Sequence, residues 1–297
     1  MSRATAILLA LLGLAAGGDD DGTGPDGGGP DASAACPVPP PADPATAPLR
    51  GDCPLDGRYG GFVVTEAGGT TVTGEVADGV VPLAILQPVA AEGDCELLRR
   101  PNPFCSPPCD NGFTCGLEGT CVPFPLRQDL GTVHVEGLDT CLDLEPTDLG
   151  HLYSASDVGF TPGVLIRVTS GAGPYGPLEL WGIGPSPLET DDATWTITAG
   201  QALPVTWTPG VAAERSRVFL HLNVDQHGAS PVTLFCDVED SGSTEVPASL
   251  IDGLLAVTSG FPSAGIHRRT VDSQTVGSAC VDLVVRSSRV IDLRVGP

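Results

Sequence analysis

From about residue 128 to the C-terminus the chain is written in short β-branched and aromatic runs. They read GTVHVEGL, GVLIRVTS, LELWGI, TWTIT, LPVTWT, RVFLHLNV, PVTLFCDV, LLAVTS, ACVDLVV and RVIDLRV. Turn residues interrupt them every eight to fifteen residues or roughly so, a rhythm that suits strands and excludes long helices. The pattern predicts a mainly β fold, an antiparallel β-sandwich of Ig-like type, as one large or two small sandwiches. Glycine (39) and proline (29), about a fifth of the 297 residues, agree with many turns. One stretch, VPASLIDGLL (246–255), suits a turn or two of helix, with Pro247 near a first helical position. Upstream, GGFVVTE, TTVTGEV and VVPLAIL form a shorter β segment within residues 51–127.

The N-terminus, MSRATAILLALLGLAAGG, carries Arg3 ahead of an apolar run from Ala4 to Ala16. That run is too short to span a bilayer and has the layout of a signal peptide, residues 1–17. Residues 18–50 are dominated by Gly, Asp and Pro, which bury no apolar surface, and are expected to form a disordered tether. The arrangement resembles a bacterial lipoprotein precursor, in which a Leu-Ala-Ala-type stretch precedes a lipidated cysteine. Here Leu14-Ala15-Ala16 is followed by Gly17, which argues against a lipid anchor. The expected location is therefore outside the cytoplasm, in the periplasm, on the outer surface or secreted, with membrane attachment only if the chain is lipid-anchored.

Ten cysteines, an even number, fit disulfide bonding in such a compartment. Four lie in CSPPCDNGFTCGLEGTC (105–121), spaced C-x3-C-x5-C-x5-C. Zinc sites favour tighter pairs or added histidines, and the Cys115/Cys121 interval is wide. Pro107-Pro108 stiffens the first loop, while Asn111-Gly112 and Glu118-Gly119 mark two turns that bring alternate cysteines together. The expected bridges are Cys105–Cys115 and Cys109–Cys121. Cys236 and Cys280 sit in two strand-like runs and are expected to pair, as are Cys53 and Cys95 around the N-terminal β segment. Cys36 and Cys141 remain without an assignment. The knuckle resembles the small cysteine units of extracellular modules, some of them EGF-like, without the acidic consensus of calcium-binding examples.

The net charge of −23 opposes binding to phosphate backbones or anionic lipid, so nucleic acid is not an expected partner. Lysine is absent and all 14 basic residues are arginine, which excludes Schiff-base and lysine-base chemistry. No nucleophile elbow, zinc-protease helix motif or phosphate loop stands out, and no cofactor is expected. In RVFLHLNVDQHGAS, alternation places His221, Asn223, Asp225 and His227 on one strand face, opposite Val218, Leu220, Leu222 and Val224. His221, Asp225 and His227 are the candidate metal-ligating or acid–base residues. Any half-buried strand shows this alternation, and His221 and His227 lie around 20 Å apart on an ideal strand. Trp181, Trp195 and Trp207 are candidate sugar-stacking residues, with Trp207 in PVTWT expected in the core. His267-Arg268-Arg269 is a small basic spot, expected as a solvated turn, with an anion or partner contact as the alternative.

A signal, an Asp/Gly tether, a cysteine knuckle and a Trp-bearing strand region together make a recognisable layout. It resembles uncharacterised exported, lipoprotein-like proteins of myxobacteria-type bacteria that carry an Ig-like β-sandwich. The resemblance implies no activity. The expected domains are the signal (1–17), the tether (18–50), the short β segment with its knuckle (51–127) and the sandwich (128–297). The expected function is that of an exported, non-enzymatic envelope or surface protein, structural or recognising a protein or glycan partner. The alternatives are a carbohydrate-binding or accessory module of a secreted hydrolase and, more remotely, a metal-dependent enzyme.

Overall fold

The computed structural model describes residues 49–171, 173–211, 213–225, 232–256 and 260–297. The expected signal peptide, most of the tether, Cys36 and His227 lie outside them. The N-terminal strands are β1 (Arg58–Glu66), β2 (Thr70–Val76), β3 (Gln87–Glu92) and β4 (Cys95–Arg99), followed by the hairpin β5 (Phe113–Cys115) and β6 (Cys121–Pro123). The middle of the chain forms β7 (Val133–Glu136), β8 (Leu142–Leu144), β9 (Tyr153–Ser156), β10 (Leu165–Ser170), β11 (Leu178–Ile183), β12 (Thr194–Ile197) and β13 (Leu203–Thr206). The remainder is β14 (Arg217–Asp225), β15 (Val232–Glu239), β16 (Ser243–Val246), helix α1 (Ala248–Leu255), β17 (Phe261–Val276) and β18 (Ala279–Val295).

One ten-stranded sheet organises the molecule, in the order β3-β4-β15-β14-β17-β18-β1-β2-β9, with β12 added to the far end of β18. Its spine is the long antiparallel hairpin β17–β18, paired from Ala264↔Ile291 to Val276↔Ala279. One half of β18 pairs β1 in parallel and the other half pairs β12 in parallel, so the sheet is mixed, where alternation alone suggested purely antiparallel pairing. The strands of residues 58–99 belong to this same sheet, and do not form a segment apart from the sandwich. The reason is long-range pairing of β1 with β18, across more than half the chain, and of β4 with β15, across nearly half of it.

The registers assign side chains to two faces. On one face lie Val218, Leu220, Leu222 and Val224 of β14, Ile266 of β17, and Val281, Leu283, Val285 and Ile291 of β18. Two covers bury that face. The four-stranded sheet β11-β10-β7-β8 packs on β1, β2 and the first half of β18, closing a core of Phe62, Val64, Val135, Ile166, Leu180 and Leu283. The β13–β16 ribbon, β12 and α1 close a second core over β4, β15 and β14, including Trp195, Trp207, Leu220, Leu234 and Ile251. The result is a β-sandwich with two cores on one shared sheet, consistent with the expected Ig-like, mainly β class. Phe62 fits because its cross-strand neighbour is Gly74, where a Cβ would stand 2.3 Å from its ring. Helix α1 begins after Pro247, whose extended conformation makes it the cap rather than the first helical residue.

The bridges Cys105–Cys115 and Cys109–Cys121 form as the two turns suggested, and β5 and β6 are the strands they staple. A pocket-sized hairpin of this kind has no core of its own, so its cross-links hold it. The two long-range pairings differ from expectation. Cys53 joins Cys280, and Cys95 joins Cys236. Cys236 cannot reach Cys280, because β14 and β17 stand between their strands and three strand steps span about 14 Å. Cys95 and Cys236 are instead directly opposite in register, on the covered face. Cys53 lies just ahead of β1, whose parallel pairing sets Arg58 beside Cys280. Cys141 is also disulfide-bonded, and none of the described cysteines is free.

Candidate functional site

The other face of the long sheet has no second sheet over it among the described residues. Alternation brings Phe219 and His221 of β14, Phe235 and Asp237 of β15, His267, Arg269 and Val271 of β17, and Asp282, Val284 and Arg286 of β18 to this side. The chain entering β1 crosses part of it: the Asp52 amide donates to Ser273 Oγ at 2.8 Å, and Arg50 bonds Asp94 at 3.2 Å. Between this crossing segment and the sheet is a cleft of about 500 Å3. Its lining includes Arg50, Arg58, Phe219, Phe235, Asp237 and Arg269.

The cleft floor is an aromatic row. Phe235 stacks on Phe219 with ring centres 5.4 Å apart, and Phe219 stacks on His267 at 6.3 Å. The Arg269 guanidinium sits 4.0 Å above the Phe219 ring, a cation–π contact. Asp237 is shared, bonding Arg217 at 2.6 Å and Arg269 at 2.9 Å, while Asp282 accepts from Arg58 at 2.8 Å and from Ser273 at 2.5 Å. Burial pushes the Arg269 pKa down; Asp237 opposes this, and Arg58 and Arg217 add to it. Its Nε is buried without a partner. The carboxylates are therefore clamped by guanidinium groups, and the arrangement suits holding a polar ligand better than moving a proton.

The alternation expected around His221 is present: Val218, Leu220, Leu222 and Val224 are buried, with His221 and Asn223 on the opposite, half-buried face. His221 meets His267, not a carboxylate, at a ring separation of 5.3 Å and an interplanar angle of 13°. Asp225 ends β14, but its side chain and all of His227 lie outside what is described, so the proposed ligand set is not assembled there. His267, Arg268 and Arg269 form no turn. They occupy the middle of β17, between β14 and β18, and alternate sides of the sheet. Arg268 is 1% exposed and points into the covered face. There it bonds Asp240 through Nε at 2.7 Å and the carbonyls of Thr208, Ser186 and Pro187 through its other nitrogens. The Trp207 indole and Ser216 hydroxyl donate to the same carboxylate, at 2.7 and 2.9 Å. Burial raises the Asp240 pKa, but the bonds from Arg268 and Trp207 outweigh it and leave the group below its usual range.

Trp195 and Trp207 are core residues, and Trp181 is half-buried with Arg167 5.5 Å from its ring, so the tryptophans present no sugar platform. The aromatic floor comes from phenylalanines, and its location was not visible in the sequence because it needs the β14–β15–β17 register. Cysteine sulfurs approach one another near Cys105, Cys109 and Cys121 and near Cys53, Cys280 and Asp282. All are in disulfides, which leaves no thiolate for zinc. Disulfides on this scale fit a non-cytoplasmic compartment. Among the described residues no helix is long and apolar enough to cross a membrane.

No protein-family model matches the chain, and no curated protein matches it in sequence. Among solved structures it is similar to the crystal structure of chicken CNTN1 FN1-FN3 domains, at 11% identity and a TM-score of 0.16. The match covers 71% of this chain and 66% of that one, and at so low a score it carries no argument.

Proposed function

We propose that the protein is an exported, non-enzymatic envelope or surface module that holds a partner on the open face of its long sheet. The observation that carries this reading is the cleft, in which Arg58 and Arg269 are locked to Asp282 and Asp237, the latter also held by Arg217 from outside the lining, above an aromatic floor. Clamped carboxylates are poor general bases, whereas fixed guanidinium and aromatic surfaces are suited to recognition. Export rests on the apolar N-terminal run, and the disulfides support it. The test combines two measurements on the oxidised protein. Binding to isolated envelope material of the producing cell should fall when Phe219→Ala opens the floor, and a panel of hydrolase substrates should give no turnover. Turnover abolished by Asp237→Asn would overturn the reading.

A glycan-binding accessory module is the second reading, favoured by the stacked Phe219 and Phe235 rings in the cleft. Saturable binding of a neutral oligosaccharide, lost in Phe235→Ala, would select it over a protein partner.

A further inference from the structure

Beside the cleft the same face carries one guanidinium, that of Arg286, with no carboxylate partner among the described residues. Arg269 and Arg286 stand directly opposite each other on β17 and β18. Like charges so placed destabilise a sheet. Arg269 has Asp237, whereas Arg286 donates from Nε to Thr65 Oγ1 at 3.0 Å and has no acidic partner among the described residues. Burial and then Arg269 both push the Arg286 pKa down, and no anion opposes them. Asp282, on the same strand face, is already held by Arg58 and Ser273.

The neighbouring residues are arranged around this charge. His267 stands opposite Ser288 and bonds its hydroxyl through Nδ1 at 2.9 Å. His221 leans across onto His267 because its register partner is Gly265, where a Cβ would lie 2.4 Å from the ring. Burial, then Arg286, lowers the pKa of both imidazoles, and that of His267 falls to about 3. At neutral pH the rings are therefore uncharged, and the guanidinium groups supply the positive charge. His221, His267, Arg286 and Ser288 are all partly open to solvent. A half-buried guanidinium with no carboxylate partner among the described residues is costly on its own and is balanced locally when an anion docks.

We infer that Arg286, with the His267 and His221 rings and the Ser288 hydroxyl beside it, forms a binding site for an oxyanion group: a carboxylate, sulfate or phosphate. The planar guanidinium fork matches such groups geometrically. The inference rests on reading this sheet face as the recognition surface, and it names the chemistry of what is recognised there. A free inorganic anion and an acidic sugar present the same group.

Sodium sulfate and an oligogalacturonate are titrated into the oxidised protein at pH 7, with sodium chloride holding ionic strength constant. Binding is read by calorimetry and by the thermal midpoint. Sulfate or oligogalacturonate should bind saturably and raise the midpoint, while chloride does neither. Equal response to both probes identifies a free-anion site, and a stronger response to the oligosaccharide identifies an acidic sugar. Arg286→Gln should weaken binding about tenfold or more, the loss expected for a charge-assisted hydrogen bond, while leaving the unliganded midpoint unchanged or raised. His267→Gln should weaken it to a lesser degree and supplies the test should Arg286→Gln not fold. Absence of saturable binding, or binding unchanged in these variants, overturns the site. Envelope binding that persists without oxyanion uptake would overturn the site alone and leave the recognition reading standing.

Discussion

Arg268 and Arg269 are adjacent in sequence and opposite in circumstance. Arg268 enters the covered face, where Asp240 and three backbone carbonyls take up its guanidinium donors. Arg269 enters the open face, shares one carboxylate with Arg217, faces Arg286 across the strand pair, and keeps a buried Nε without a partner. A buried ion pair is tolerable when its remaining hydrogen-bonding capacity is used, and Arg268 meets that condition. The polar cluster it anchors lies between the two apolar cores, beside Leu188, whose amide donates to Ser287 at 2.9 Å. The open face meets the condition only in part. The guanidinium of Arg268 is thus fully used on the covered side, whereas on the open side Arg286 meets no carboxylate among the described residues.

The comparison breaks first at Asp240. Asp240→Asn leaves Arg268 buried without its counter-ion and should cost ~3–5 kcal/mol in urea unfolding. A cost similar to that of open-face substitutions would show that the two faces do not differ as described. Acid sharpens the contrast next. His267 titrates near 6.5 when unfolded and at about 3 when folded, so the unfolded chain binds the proton first. Stability should be level above pH 6.5, then fall by on the order of a few kcal/mol towards pH 3, and His267→Gln should flatten that slope. His221, shifted the same way, contributes within the same window. The depressed carboxyl of Asp240 adds its own loss only at lower pH, as the medium passes below the usual aspartate value.

A smaller effect is expected from Gly265→Ala, which forces the His221 ring off His267 at about 1–3 kcal/mol, the range for overpacking. Near-ultraviolet circular dichroism and the shape of the pH profile should both change if the stack is disrupted. Smallest is Arg269→Gln, expected within about 1 kcal/mol because its ion pair with Asp237 is partly solvated and Arg217 retains that carboxylate. A large loss there would place Arg269 with Arg268 as a structural residue.

The strands were legible because alternation is local: the RVFLHLNV run sorts Leu220 from His221 before any partner is known. The knuckle was legible for the same reason, since its bridges close only 10 and 12 residues over two recognisable turns. His267-Arg268-Arg269 reads locally as a turn because three consecutive polar residues carry no apolar alternation, although Arg268 turns into the covered face. The pairings Cys53–Cys280 and Cys95–Cys236, closing 227 and 141 residues, were not legible, because strand order in the sheet decides them. The sequence by itself therefore determined a disulfide-bonded β chain with a stapled hairpin, through interactions confined to near neighbours. Only the tertiary structure decided that β17 and β18 form one spine under two cores. It also decided that Arg268 finds Asp240 while Arg286 finds no acid among the described residues, because such contacts depend on which distant strands lie side by side.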